Sequence, residues 1–203
     1  MESIAIGLNS SDIKARESAL DNLTQKLQKG KRGCVFDLPP SETKTRVYSA
    51  CVSLLRDTNA KIVCSSFNVI FSIIEDASFQ NLKAMTWDIL LVKFGDAKPH
   101  IRQRACEVMA KLVVSLIPVP ATVDKLLSSQ NVGHKNARVR EFLLHTLLLV
   151  VEVYKIDISS KLNDLIPRVA VMLGDSQATV RQVALESLGR LQAILGESVA
   201  EQV

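Results

Sequence analysis

The stretch Gly133 to Leu147, GHKNARVREFLLHTL, joins a tight basic turn directly to a strongly apolar helix. The same outline returns at Gly95 (GDAKPHIRQRACEVM) and at Gly174 (GDSQATVRQVALESL). Recurrence at a fixed spacing constrains a chain more than any local propensity does. Each unit has to stack on its neighbours to bury an apolar face that it cannot bury alone.

Aligning the turns on Ser10, Asp57, Asp96, His134 and Asp175 gives intervals of 47, 39, 38 and 41 residues. Five residues on from these starts lie Ala15, Ile62, Ile101, Val139 and Val180. Six on lie Arg16, Val63, Arg102, Arg140 and Arg181, so four of five are arginine. Nine on are Ala19, Ser66, Ala105, Leu143 and Ala184, and thirteen on are Leu23, Ile70, Met109, Leu147 and Leu188. Offsets five, nine and thirteen are four apart and therefore line one helix face. A small residue at nine lets a neighbouring helix come close. The Asp before the helix is placed to accept from free N–H groups and to favour the positive end of the dipole. The period is that of two-helix HEAT or armadillo repeats, so the expected fold is all-α, a solenoid of about five such repeats.

Composition agrees. Of 203 residues, 47% are hydrophobic, yet Trp87, Tyr48 and Tyr154 are the only Trp and Tyr residues. This is a helix-packing composition, poor in the aromatics that enrich sheets. The net charge of +4 does not by itself imply nucleic acid, but it suits an acidic partner if concentrated on one edge. Cys34, Cys51, Cys64 and Cys106 lack metal-ligand spacing and read as reduced intracellular thiols, three of them filling the core. Met1-Glu2-Ser3 is acidic and is followed by a very short apolar run, so no N-terminal signal is visible. The most apolar segment, Phe142 to Tyr154, is too short to cross a membrane and reads as a buried helix.

In chain order, the repeats are expected at residues 1–28, 43–75, 78–116, 119–155 and 160–196, in one domain. In the first, Ile4, Ile6 and Leu8 mark a short helix, and Asp12 to Leu27 a second with Ile13, Ala19, Leu20, Leu23 and Leu27 facing in. Residues 29–42 form a linker, basic and glycine-rich at Lys29–Gly33 and non-helical at Asp37–Ser41. The second repeat has Val47, Ala50, Cys51, Leu54 and Leu55, then a helix from Ile62 to Ile74. The third has Ser78 to Phe94 with Trp87 in the core, then Pro99 at a first helical position, where no N–H is missed. Ile117-Pro118-Val119-Pro120 reads as a stiff connector before a short helix, Thr122 to Gln130. The fifth has Ser160 to Leu173 and Val180 to Leu195, with Gly196 ending the helix. Residues 197–203 read as the start of a truncated sixth repeat.

No catalytic constellation is present in this sequence. There is no phosphate loop and no nucleophile elbow. His100, His134 and His145 do not sit with carboxylates at metal-binding spacing, and His145 reads as a hydrogen-bonded core residue. No catalytic, metal or cofactor residue is assigned. What remains is the row of turns, displaying Lys14; Asn59 and Lys61; Lys98 and His100; Lys135, Asn136 and Arg138; and Gln177 and Thr179. A solvated rim accounts for exposed cations in general. Their return in turn after turn favours an edge for an acidic partner. Arg16, Arg102, Arg140 and Arg181 read differently, as struts that pair with neighbouring turn carboxylates and fix register.

Gly95-Asp96-Ala97-Lys98 with Ile101-Arg102, His134-Lys135-Asn136 with Val139-Arg140-Glu141, and Leu173-Gly174-Asp175 with Val180-Arg181 together resemble a TOG domain, most closely the N-terminal TOG domains of CLASP proteins. The likeness covers nearly the whole chain, and its specific part lies in residues 89–195. It implies a paddle-like stack that binds αβ-tubulin or microtubules along its intra-repeat turns and acts in microtubule stabilisation. The ten turn residues above would carry the contact, and no chemistry would be done. Neither nucleic acid nor a membrane is an implied partner. A monomeric domain of a larger cytoplasmic, cytoskeletal protein of the spindle or cilium would fit. TOG domains often carry a first-turn aromatic, whereas Ser10–Lys14 has none, which points away from strong binding of free, curved tubulin. TOG domains usually have six repeats, and five are counted here. A HEAT scaffold for a non-tubulin protein is the alternative reading.

Overall fold

The computed structural model describes residues 2–30, 42–116 and 118–200. Cys34, Ile117, most of the 29–42 linker and residues 201–203 of the expected sixth repeat lie outside them. The described residues are helical, joined by short turns, with no strand among them. They divide into two compact units, Met1–Leu90 and Leu91–Val203.

In the first unit, α1 (Glu2–Leu8) and α2 (Ile13–Gly30) form one hairpin, and α3 (Glu42–Leu54) and α4 (Ala60–Ile73) form the next. α1 packs on α3 and α2 on α4, so like helices stack. A 3-10 segment, Ala77–Leu82, then leads into α5 (Lys83–Phe94), which runs across the division. The close approach expected at offset nine is visible in the first hairpin. A Cβ added at Gly7 would lie 2.8 Å from the Ala19 Cβ, so only glycine lets the two backbones come this near. Ala19, Leu23, Ser66 and Ile70 are all buried, as the offsets require.

A buried ion pair sits deep in this unit. The Lys44 ammonium meets the Asp76 carboxylate at 2.7 Å, with side chains only 5% and 4% exposed. The Tyr48 hydroxyl donates to the same carboxylate at 3.3 Å, and its ring leans on Phe79 with centroids 6.2 Å apart. Burial first, and the Asp76 charge second, push the Tyr48 hydroxyl well above the ordinary phenol value, so it stays protonated.

The second unit contains α6 (Pro99–Val114), α7 (Val119–Leu126), the one-turn α8 (Ser129–Val132), α9 (Ala137–Leu148), α10 (Leu162–Val171) and α11 (Ala178–Ala200). α9 lies against both α6 and α11, and α10 pairs with α11. Ile101, Ala105 and Met109 on α6, Val139, Leu143 and Leu147 on α9, and Val180, Ala184 and Leu188 on α11 are buried. Pro99 opens α6 with Lys98 as its N-cap, as expected. Trp87 and the Val47-to-Leu55 set are also buried.

Several local expectations are corrected. Ile6 is 68% exposed and Ile13 45% exposed. In α1 it is Ile4, Ala5 and Leu8 that share the buried face, because a two-residue spacing turns Ile6 away by about 200°. Val119 and Pro120 are not connector but the first turn of α7, where proline is tolerated because those N–H groups have no helical partner. α11 continues through Gly196 to Ala200. One helical glycine costs only about 1 kcal/mol and need not end a helix. His145 is half-buried rather than core: it faces Glu141 at 3.8 Å and the edge of Phe142. Cys51 and Cys106 do fill the core, but Cys64 is half-buried. No helix among the described residues is long and apolar enough to cross a membrane.

Candidate functional site

All five turns are built alike. The first residue of each accepts the backbone N–H two positions on: Ser10 Oγ from Asp12 at 3.1 Å, Asp57 from Asn59 at 2.8 Å, Asp96 from Lys98 at 2.9 Å, His134 Nδ1 from Asn136 at 3.1 Å and Asp175 from Gln177 at 2.9 Å. This side-chain-to-backbone turn satisfies an N–H that the following helix cannot. It also refines the capping expectation, since the cap of the helix is a later residue. Asn59 caps α4, accepting from the N–H of Lys61 and Ile62. Asn136 caps α9, accepting from Arg138 at 3.0 Å.

The arginine at offset six closes the turn behind it. Arg16 Nη1 donates to the carbonyls of Ser10 (2.8 Å) and Ser11 (2.9 Å), and Arg102 Nη1 to those of Asp96 (2.8 Å) and Ala97 (3.0 Å). Arg140 donates to the His134 carbonyl at 2.5 Å, and Arg181 to Asp175 (2.7 Å) and Ser176 (3.1 Å). Two of the four also reach the aspartate that opens the following turn. Arg16 Nε lies 3.0 Å from Asp57, while Arg140 grips Asp175 through Nε at 2.6 Å and Nη2 at 2.8 Å. The strut reading therefore holds at those two seams. The hydrogen bond from Arg140 holds the Asp175 carboxyl below the usual carboxylate range, and Asp175 in turn raises the Arg140 value.

The ten turn residues fall into two sets. In the first unit, Lys14, Asn59 and Lys61 lie on two turns tied together by the Arg16–Asp57 pair. Lys61 is not free: its ammonium meets Glu17 at 3.0 Å. In the second unit, three neighbouring turns carry Lys98 and His100, then Lys135, Asn136 and Arg138, then Gln177 and Thr179. The third and fourth touch closely enough that a Cβ at Gly95 would lie 2.7 Å from the Asn136 Nδ2. Asn59 and Asn136 are half-buried and spend their amide oxygens on capping; the other eight are exposed. The Lys98, Lys135 and Arg138 side chains make no ion pair among the described residues. From the sequence the aspartates are expected to accept free N–H groups, as Asp57, Asp96 and Asp175 do; that expectation does not extend to Ser10 and His134, although both carry a side-chain acceptor.

Within each unit the turns offer exposed cations and amides. Burial pushes the Cys51 and Cys106 thiols up to about 12, so they carry no thiolate at neutral pH. No group of three or more His, Cys, Asp or Glu that could hold a metal ion occurs among the described residues.

Residues 165–195, which span α10 and most of α11, match the HEAT repeat family. Over 106 residues, 52% of its length, the chain is 31% identical to a CLIP-associating protein of Drosophila melanogaster. The match spans only 7% of that relative. In backbone structure the chain is similar to the MAST/Orbit N-terminal domain, with a TM-score of 0.76 at 21% identity over 100% of this chain and 87% of that one. It is also similar to a TOG domain whose tubulin-binding specificity promotes microtubule dynamics and mitotic spindle formation, with a TM-score of 0.69 at 18% identity over 98% of this chain and 74% of that one. The fold is thus that of a TOG-type α-solenoid of HEAT repeats, and the sequence similarity is CLASP-like.

Proposed function

We propose that this CLASP-like TOG domain is a microtubule-regulating module that binds αβ-tubulin through its intra-repeat turns and does no chemistry. The observation that carries the reading is the row of unpaired cations on adjacent turns of the second unit. Lys98, Lys135 and Arg138 are exposed on turns that Asp96, Arg102, His134, Asn136 and Arg140 close with their own hydrogen bonds. A pre-set cationic row gives an acidic surface something to dock on without ordering loops first. Within this reading the five repeats act as one domain of a larger cytoskeletal protein. Regulation follows from a higher affinity for one tubulin curvature than for another, since a ligand shifts an equilibrium only by its differential affinity. The absence of an aromatic among Ser10–Lys14 favours the polymer over free tubulin dimers.

The test is direct. The domain is mixed at low salt with soluble tubulin and, separately, with polymerised microtubules, and read by gel filtration and co-sedimentation. Co-sedimentation that weakens as salt is raised supports the reading. Binding in neither assay sinks it and leaves the HEAT scaffold for another protein. The double substitution Lys98→Ala with Lys135→Ala is expected to weaken microtubule binding at least about tenfold, from the loss of two charged contacts of roughly 1 kcal/mol each. Unchanged affinity would move the contact off the turns.

A further inference from the structure

Four of the five turns open with an acceptor that does not change charge near neutral pH: the Ser10 hydroxyl and the Asp57, Asp96 and Asp175 carboxylates. The fourth opens with His134, whose Nδ1 accepts the Asn136 N–H at 3.1 Å. A ring nitrogen accepts only while it carries no proton, and histidine is the side chain whose charge changes between about pH 5 and 8. The same substitution interrupts the struts. Arg16 and Arg140 each pair with the aspartate that opens the following turn, but the turn after Arg102 opens with His134. Arg102 Nε is buried without a hydrogen-bond partner, and its guanidinium rests 5.5 Å from the centre of the Phe142 ring.

We propose that His134 is a pH-operated latch on the fourth turn. Neutral, it closes the turn and fixes Asn136, which caps α9 and sets the backbone of Lys135 and Arg138. Protonated, it turns an N–H toward the Asn136 N–H, donor against donor, and the turn opens. Cations outnumber carboxylates on the adjoining turns and on α9, where the carboxylates are Asp96, Glu141 and Asp175. Lys135 and Arg138 lie on its own turn, and Arg140 donates to its carbonyl. The third turn and α6 contribute Lys98, His100 and Arg102, with Asp96 already beside Lys93 at 3.7 Å. The fifth contributes Asp175, already gripped by Arg140, and Arg181. α8 carries no charged residue. Any consequence for microtubules rests on the reading that the fourth turn touches tubulin.

The test follows backbone amide resonances of the whole 203-residue chain from about pH 7.5 to about pH 5.5, spanning ordinary histidine titration. His134→Asn keeps a neutral acceptor that does not titrate, and His134→Asp copies the three aspartate turns. In the native chain the Asn136 and Arg138 amides should shift together with the His134 ring, while the Gln177 amide stays. In both variants the shift should vanish. His134→Asp should also raise the Tm at about pH 7.5, because Arg102 Nε gains an acceptor. Microtubule affinity of the native chain should fall about fivefold relative to His134→Asn on the same acidified microtubules, the equivalent of one net hydrogen bond. An Asn136 amide that stays fixed while the His134 ring titrates overturns the latch. The amide readout needs no tubulin, so a working latch without loss of affinity would count against the fourth turn as a contact, not against the latch.

Discussion

Arg140→Ala is expected to lower the stability of the chain by about 3 kcal/mol, roughly 6–12 °C in Tm, although Arg140 is not one of the proposed contact residues. The guanidinium makes three hydrogen bonds at once: two to the Asp175 carboxylate and one to the His134 carbonyl. The two side chains are 12% and 8% exposed. Deleting the arginine strands a mostly desolvated carboxylate, whose remaining support is the Gln177 N–H at 2.9 Å and the Arg181 charge. Stranding one member of a buried pair typically costs about 3–5 kcal/mol, and a pair at the rim of a turn belongs at the low end. Arg140→Lys should recover little, since a point charge cannot reproduce a two-pronged grip.

The pH dependence of this effect is fixed in sign. Asp175 is held below the usual carboxylate range by the Arg140 hydrogen bond. A carboxyl with a depressed folded value contributes stability above its unfolded value, about 3.9, and loses that contribution as pH falls through the folded value. The stability gap between the native chain and Arg140→Ala should therefore be full near pH 7 and shrink steadily below about pH 4. Urea unfolding at about pH 7 and about pH 3 checks it, and a gap that grows in acid would contradict the assignment. Microtubule binding should weaken in the same variant because the fourth and fifth turns lose their shared clamp.

Asp76→Ala is expected to cost about 4 kcal/mol. Its carboxylate holds the Lys44 ammonium at 2.7 Å, at only 5% and 4% exposure, and accepts from the Tyr48 hydroxyl. The substitution takes the Asp76 charge away from a lysine that is almost wholly out of water. Replacing the pair by apolar side chains, Lys44→Met with Asp76→Leu, should restore much of the loss, because buried pairs repay their own desolvation poorly. Urea denaturation of the two variants decides this: equal stabilities would mean that the buried Lys44 charge is not what makes Asp76→Ala costly.

The stacked helices were legible because helical geometry repeats. Residues five, nine and thirteen after each turn share one face, and Ile62, Ala105, Leu143 and Leu188 are buried as that geometry requires. Errors arose where a residue was read outside its period or by a one-residue rule. Ile6 is apolar but out of phase with Ile4 and Leu8. Gly196 reads as a stop, although a glycine weakens a helix without ending it. His145 reads as core on the strength of its apolar neighbours, yet it is half-buried beside Glu141. The struts were legible at Arg16 and Arg140, because each aspartate stands at a fixed offset in the next repeat. The Lys44–Asp76 pair was not, since neither residue stands at an offset that recurs from repeat to repeat. Within the turns, membership of the row alone did not separate Asn59 and Asn136, whose amide oxygens cap helices, from Lys98 and Lys135, whose side chains no local bond employs. That distinction depends on which side chains the turn consumes in closing itself.

The central claim, that the turns carry the contact, is tested most directly by backbone hydrogen exchange of the chain alone and saturated with microtubules. Protection is expected over residues 96–98, 134–138 and 175–179, with α7 and α10 unchanged. Protection confined to α7 and α10, with those turns exchanging at the same rate in both states, would contradict it.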